Sequence, residues 1–128
     1  MTAIAKSGVP SLATALPPQN EQIPGLLAGE AIGGGDIVAI RADGRVYKAN
    51  LAAGTPDTAR GIAAHPASAG EAVTIYRNVR FGYGTGLTPG IDVFLAPTVA
   101  GGLDTAGGED DLPIGFVVDA TRIQFTAF

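Results

Sequence analysis

Hydrophobic and polar residues alternate most regularly over residues 72–81, AVTIYRNVRF. The odd-numbered positions from Val73 to Phe81 are apolar apart from Arg77, and the even-numbered positions between them are mostly polar. Successive side chains of a β-strand point to opposite faces, so this pattern predicts one half-buried strand, the longest in the chain. Because Arg77 interrupts the apolar face, we expect a β-bulge or the end of a barrel there.

Residues 33–50, GGGDIVAIRADGRVYKAN, have the pattern of a β-hairpin. The first strand is predicted over residues 36–41, and the second over residues 45–50, with Val46 and Lys48 on one face and Tyr47 and Ala49 on the other. Between them Asp43 and Gly44 predict a tight turn, because these residue types tolerate the backbone conformations that hairpin turns require.

Short apolar segments separated by turn residues continue along the rest of the chain. They lie at residues 60–64, 91–96, 114–119 and 122–128, with a further short strand after Gly101-Gly102. The chain also contains 19 glycines and 9 prolines, which disfavour long helices. The sequence therefore predicts an all-β fold, a small antiparallel β-barrel or sandwich with an extended N-terminal arm.

The strand pattern occurs twice. The first half runs GDIVAI, turn, VYKA, loop, RGIAA, and the second runs GIDVFLA, turn, LDTA, loop, IGFVVD. The separation of Gly35 from Gly61 is nearly that of Gly90 from Gly115. Either two similar β units pack around one small core, or the recurrence reflects features that β-proteins share in general.

Residues 1–25 are predicted to form the N-terminal arm, and residues 26–128 the β-barrel or sandwich domain. Four prolines disfavour a helix in the arm, yet aliphatic residues are spread along it, unlike a typical flexible linker. Two interpretations stay open: a disordered terminus, and an arm that orders on a neighbouring subunit. The candidate contact residues of the arm are Ile4, Val9, Leu12, Leu16, Pro17, Pro18, Ile23 and Pro24.

The composition indicates one domain with few charges. Of the 128 residues only 16% are charged, against a usual quarter, and the net charge is −4. An acidic chain with scattered basic residues argues against nucleic acid or an anionic membrane as the main partner. No cysteine is present for a disulfide. We expect neither a membrane span nor a secretory signal, because apolar runs are short.

No group of residues has the pattern of a catalytic, cofactor or metal site. The one histidine, His65, precedes Pro66 and is interpreted as a surface residue. Residues 109–111, Glu-Asp-Asp, are interpreted as a solvated loop. The glycines at 33–35 lack the Gly-Lys-Ser/Thr ending and the following helix of a phosphate loop. We therefore predict that the protein is not an enzyme and binds no cofactor or metal.

Five short motifs resemble those of one protein family. They are G-D-x-V at residues 35–38, V-Y-K-A at 46–49, G-I-A at 61–63, L-T-P-G-x-x-V-F-L at 87–95 and I-G-F-V at 114–117. In this order and spacing the chain resembles the head decoration, or capsid cement, proteins of tailed bacteriophages, from about Gly29 to Phe125. The resemblance carries no catalytic motif, and the N-terminal arm departs most from it.

The resemblance implies a structural virion protein that binds the outer surface of an assembled phage capsid and stabilises it. It implies the major capsid protein as partner, a homotrimer, and a location on the outer capsid surface after synthesis in the host cytoplasm. The arm residues named above are then candidates for contact with the capsid or between subunits. The alternative is a small β-barrel that binds a saccharide or a host surface.

Overall fold

A computed structural model describes residues 3–13, 21–50, 57–97, 99–107 and 112–126. The described residues form twelve β-strands and contain no α-helix, which confirms the predicted all-β fold. The strands are β1 (Ala3–Ile4), β2 (Ser11–Leu12), β3 (Gln22–Leu27), β4 (Ile37–Ile40), β5 (Val46–Lys48), β6 (Gly61–Ala63), β7 (Ala72–Tyr76), β8 (Val79–Gly82), β9 (Asp92–Leu95), β10 (Leu103–Asp104), β11 (Gly115–Val117) and β12 (Arg122–Phe125).

The strands build two antiparallel sheets. A five-stranded sheet has the order β3-β7-β6-β4-β5, and a seven-stranded sheet has the order β1-β10-β9-β11-β12-β8-β2. The five-stranded sheet curls, because Ala28, directly after β3, forms a bridge to Val46 in β5 at its opposite edge. Its inner face thus encloses a core of its own, to which Val38, Ala63 and Ile75 belong.

The outer face of the five-stranded sheet is buried as well. Ile37, Ile62 and Tyr76 on this face share one apolar cluster with residues of the seven-stranded sheet, among them Ile123 and Phe125. Apolar side chains from both sheets therefore form the main core, and the two sheets pack face to face as in a sandwich.

The predicted hairpin is confirmed in β4 and β5, which pair antiparallel. Gly44 takes a positive φ of 79° at the turn, and the Asp43 carboxylate accepts a 3.0 Å hydrogen bond from the Arg45 amide. Gly44 therefore forms the turn for the expected reason, whereas Asp43 has no positive φ and contributes through its carboxylate.

The prediction of one strand over residues 72–81 is wrong. The segment forms β7 and β8, which lie in different sheets, with the crossover at Arg77 and Asn78. Glu21 holds the crossover, since its carbonyl accepts from the Arg77 amide and its carboxylate from the Asn78 side chain at 2.6 Å. The polar Arg77 thus marks a change of sheet, whereas a bulge or barrel end was expected.

Of the two open interpretations of the repeat, the strand order favours two similar β units, which contribute to two apolar clusters where one small core was expected. Strands β3–β7, the first unit, have the order β3-β7-β6-β4-β5; strands β8–β12, the second unit, have the matching order β8-β12-β11-β9-β10. The strands β1 and β2 are added only to the second unit, one at each edge.

Equivalent backbone hydrogen bonds support this duplication. The Gly35 amide donates to the Ala63 carbonyl at 2.9 Å, and the Gly90 amide donates to the Val117 carbonyl at 2.9 Å. Both glycines have positive φ, 83° and 89°, a conformation that other residues rarely adopt. The turn before the second strand of each unit, β4 or β9, is therefore built in the same way.

Candidate functional site

The N-terminal segment, defined here as residues 3–13, spans the seven-stranded sheet from edge to edge. Its strand β1 pairs with β10, and β2 pairs with β8. Between these strands the Ser7 amide donates to the Tyr83 carbonyl at 2.9 Å, and the Ala13 amide donates to the Arg80 carbonyl at 2.9 Å. The segment thus satisfies backbone groups that would otherwise be unpaired at both edges.

Glycines of the 33–35 triplet allow the segment to approach the body closely. A Cβ at Gly35 would lie 2.4 Å from Cβ of Pro10, and a Cβ at Gly34 would lie 3.0 Å from Cγ1 of Val9. The middle of the N-terminal segment therefore packs directly against the glycine triplet.

The candidate arm residues lie in different environments. Ile4 in β1 and Leu12 in β2 are half-buried against the main core, and Ile23 in β3 packs on the enclosed core. Val9 is 65% exposed. Pro24 is exposed in β3, and Leu16, Pro17 and Pro18 lie outside the described residues.

The proposed division at residue 25 falls inside β3. The described part of residues 1–25 thus pairs with the chain's own sheets. Contact of these residues with a capsid or a neighbouring subunit stays a prediction.

Two cavities lie beside β1 and share residues 3–6 in their walls. One, of about 390 Å³, is completed by residues 85–88 with Ile91 and Val117. The other, of about 450 Å³, is completed by residues that include Asp36, Lys48 and Tyr83.

The larger cavity contains the site's ionisable groups. Lys6 forms an ion pair with Asp36, which is buried and also accepts a 2.7 Å hydrogen bond from the Gly33 amide. The Tyr83 hydroxyl is buried without a hydrogen-bond partner among the described residues. Burial raises the pKa of Tyr83, with a smaller contribution from the Asp36 charge. The hydroxyl therefore stays protonated at ordinary pH.

A second surface feature is the outer row, defined as Asp92, Phe116, Gln124 and Arg80. These residues lie on β9, β11, β12 and β8, and each is the direct pairing partner of the next. Direct partners share a face, so the row crosses the outer face of the seven-stranded sheet. Phe116 is 41% exposed, Asp92 is exposed, and Arg80 Nε donates to Gln124 Oε1 at 3.1 Å.

Other polar groups stabilise turns at the surface. Arg41 pairs with Asp57 at 2.9 Å, and this hydrogen bond is the main cause of the lowered pKa of Asp57. Arg122 pairs with Asp119 at 2.6 Å and lowers the pKa of Asp119 to about 2. The first pair joins the end of β4 to the segment before β6, and the second lies within the turn between β11 and β12.

His65 is exposed, and its Nδ1 lies 2.9 Å from the Pro66 carbonyl oxygen. In the described ranges, no three His, Cys, Asp or Glu side chains converge in a way that could hold a metal ion. The same part of the chain contains no helix of the length and apolarity needed to cross a membrane.

The sequence reasoning missed Asp36, Tyr83 and the outer row as candidate site residues. Asp36 was assigned to a hairpin strand, and no local pattern indicates that Lys6 reaches it from thirty residues away. The outer row was detectable in part, because the recognised repeat places Phe116 where the first half has Ile62. The signal in the sequence was therefore this difference, an aromatic Phe116 in the second half where the first half has the aliphatic Ile62.

Comparison with known proteins adds no relative: no family model, no curated protein and no solved structure matches this chain.

Proposed function

We propose that this chain is a structural virion protein that binds the outer surface of an assembled phage capsid as a trimer and stabilises it. The proposal extends the resemblance to head decoration proteins of tailed bacteriophages. Its partner is the major capsid protein, and its location is the outside of the virion.

The observation that carries the proposal is where the resembling motifs lie in the fold. G-D-x-V, V-Y-K-A and G-I-A lie at β4, β5 and β6 of the first unit. The other two motifs lie at β9 and β11 of the second unit. The resemblance thus involves matching strands of both units, which supports it more than scattered matches would.

A protein of this kind acts by mass action. Anything that binds only the assembled shell stabilises it, by a free energy that grows with concentration and affinity. A trimer presents three linked contacts, so weak single contacts combine through a high effective concentration.

The test is binding to shells. Purified protein is mixed with expanded shells of the major capsid protein from the same genome, sedimented, and the shells are heated with and without it. We expect saturable co-sedimentation and a higher temperature of shell disruption. Protein that stays in the supernatant and leaves the disruption temperature unchanged contradicts the proposal.

The two cavities beside β1 favour a second candidate function, the binding of a saccharide or host-surface group. Their volumes, about 390 and 450 Å³, lie in the range of small-molecule sites, and Lys6, Lys48 and Tyr83 contribute polar groups. A glycan array tests this candidate. A specific, saturable signal that Lys48→Ala weakens would favour it over capsid binding.

A further inference from the structure

The duplication gives three of the four positions of the outer row, Asp92, Phe116 and Gln124, a buried equivalent in the first unit. Ile37, Ile62 and Tyr76 pair with one another across β4, β6 and β7 as Asp92, Phe116 and Gln124 pair across β9, β11 and β12. In the first unit this face is buried against the seven-stranded sheet. The same face of this fold unit therefore packs against another sheet in one copy and faces solvent in the other.

The exposed face of the second unit has the composition of an interface. An aromatic side chain, Phe116, lies at its centre, with Phe94 half-buried on the same face. Charged groups lie at its two ends, as expected of a polar rim around an apolar centre. Phenylalanine is enriched in interface cores, and here Phe116 and Phe94 lie together on the uncovered face.

The charges at the two ends are opposite. Asp92 lies at one end of the outer row and Arg80 at the other, separated by three strand spacings, about 14 Å. Among the described residues neither forms an ion pair, and Arg80 instead donates to the neutral Gln124. Each end of the row therefore complements the opposite end of a second copy.

We propose that the outer row forms the contact between copies of this chain in a three-fold trimer. The inference rests on the trimer of the proposed function and names the face that builds it. With the sheet faces turned toward the axis, Asp92 of each copy meets Arg80 of the next, and the ring closes after three copies. Phe116 of every copy then points to the axis, where the three rings exclude water from the ion pairs.

The experiment is a charge swap read out by the mass of the particle in solution. Light scattering after size exclusion, at high protein concentration, compares the full chain with Asp92→Arg, Arg80→Asp and the double variant. The wild type is expected to have three times the mass of one chain. Each single swap brings like charges together and is expected to give monomers, and the double variant is expected to restore the trimer.

Two controls separate this effect from misfolding and from net charge. Arg45→Asp makes the same charge change as Arg80→Asp at the exposed tip of the first hairpin and is expected to leave the trimer intact. Thermal unfolding of Asp92→Arg is expected to remain cooperative, because Asp92 is exposed. A swap variant that does not unfold cooperatively is replaced by Phe116→Gln, which is also expected to shift the mass to monomer.

Several results overturn the inference. A monomeric wild type would do so, as would a trimer that persists in both single swaps or a double variant that stays monomeric. So would an Arg45→Asp control that loses the trimer to the same extent as Arg80→Asp. A dimer broken by the same swaps also overturns it, because the face would then be a two-fold contact. Failure of the proposed function can be told apart from failure of this inference. A trimer that the charge swaps dissociate but that does not bind capsid shells contradicts the proposed function and still supports the interface.

Discussion

Ile62 in the first unit and Phe116 in the second occupy equivalent positions, but Ile62 is fully buried whereas Phe116 is 41% exposed. The same contrast holds for Ile37, which is buried, and Asp92, which is exposed. Both units share strand order and pairing, so the difference lies in what covers the outer face. The first unit is covered by the second, and nothing in the described chain covers the second in the same way.

The inner faces differ in a complementary manner. The first unit curls and fills its inner face with its own side chains, such as Val38 and Ile75. The inner face of the second unit, with Val93 and Ile123, is filled in part by Ile62 and Tyr76 of the first. One fold unit can therefore close its core alone or borrow a neighbour's face, and the sequence at the outer positions decides which occurs.

Truncation at the N-terminus gives the largest expected effect, because it acts differently on the two units. Deletion of residues 1–25 removes Ile23 and most of β3, the edge strand whose Ile23 and Leu26 pack on the enclosed core of the first unit. We expect this variant to lose cooperative folding. Deletion of residues 1–13 removes only β1 and β2, which the first unit lacks, and is expected to leave a folded protein of lower Tm.

Circular dichroism during heating measures both truncations against the full chain. A cooperative transition at the full-length Tm after deletion of residues 1–25 would show that β3 is dispensable. The two units would then not be equivalent in the way that their strand order suggests.

Paired substitutions at the equivalent outer positions give the next largest effect. Ile62→Ala leaves a cavity in the main core and is expected to lower the free energy of unfolding by about 2–5 kcal/mol. Phe116→Ala removes a partly exposed ring and is expected to cost about 1 kcal/mol or less. Urea denaturation of the monomeric chain at low concentration measures both. Equal losses would mean that Phe116 is covered within the chain.

The sequence predicted the fold class and the first hairpin, because these depend on local alternation and turn chemistry, and it left the duplication as one of two interpretations. It did not predict the change of sheet at Arg77, since Val73 and Ile75 face one core while Val79 and Phe81 face another. Apolar and polar residues alternate with a period of two on both sides of the crossover, so the alternation alone does not reveal the change of sheet. Strand β3 was missed because Pro24 and Gly25 interrupt its pattern at a bulge.

The candidate site was less predictable than the fold. Whether an apolar residue such as Ile62 or Phe116 is buried depends on which sheet lies over it, and that is a property of the tertiary arrangement. Local patterns also cannot show that Lys6 lies beside Asp36 or that Asp92 and Arg80 are the ends of one row.

Glycines at the start of the fourth strand of each unit, β6 and β11, sharpen the comparison further. A Cβ at Gly61 would lie 2.6 Å from the Tyr76 carbonyl oxygen, and a Cβ at Gly115 would lie 2.3 Å from the Gln124 carbonyl oxygen. Because backbone must shift in both cases, each change to alanine is expected to cost about 1–3 kcal/mol. Gly82 is the matched control, since a Cβ there would lie 3.9 Å from the Ser11 carbonyl oxygen and alanine fits.

Urea denaturation of the three alanine variants measures these costs. Similar losses at Gly61 and Gly115, with little change at Gly82, are expected if both units need the same close approach of neighbouring strands. A loss of stability in only one of the Gly61 and Gly115 variants would mean that the two units share their strand order but not this close approach.

The turn between the last two strands of each unit gives the smallest expected effect, and it depends on pH. In the second unit the Arg122 side chain, followed by the Thr121 amide, lowers the pKa of Asp119 to about 2. A carboxyl whose pKa is lower in the folded state stabilises the fold above its unfolded pKa, about 4, and loses that contribution as pH falls toward 2. The turn of the first unit has Ser68 and Glu71 instead, joined by a 2.6 Å hydrogen bond from the Ser68 amide to the Glu71 carboxylate.

Carbon-detected NMR titration of the Asp119 carboxyl measures its midpoint directly. Arg122→Gln is expected to raise the midpoint only part of the way to the ordinary value, because the backbone amides of residues 121 and 122 still donate to Asp119. Arg45→Gln, at a distant hairpin tip, is the control and should leave it unchanged. An Asp119 midpoint near 4 in the wild type would mean that the ion pair does not persist in solution, and that the two turns differ in sequence without differing in electrostatics.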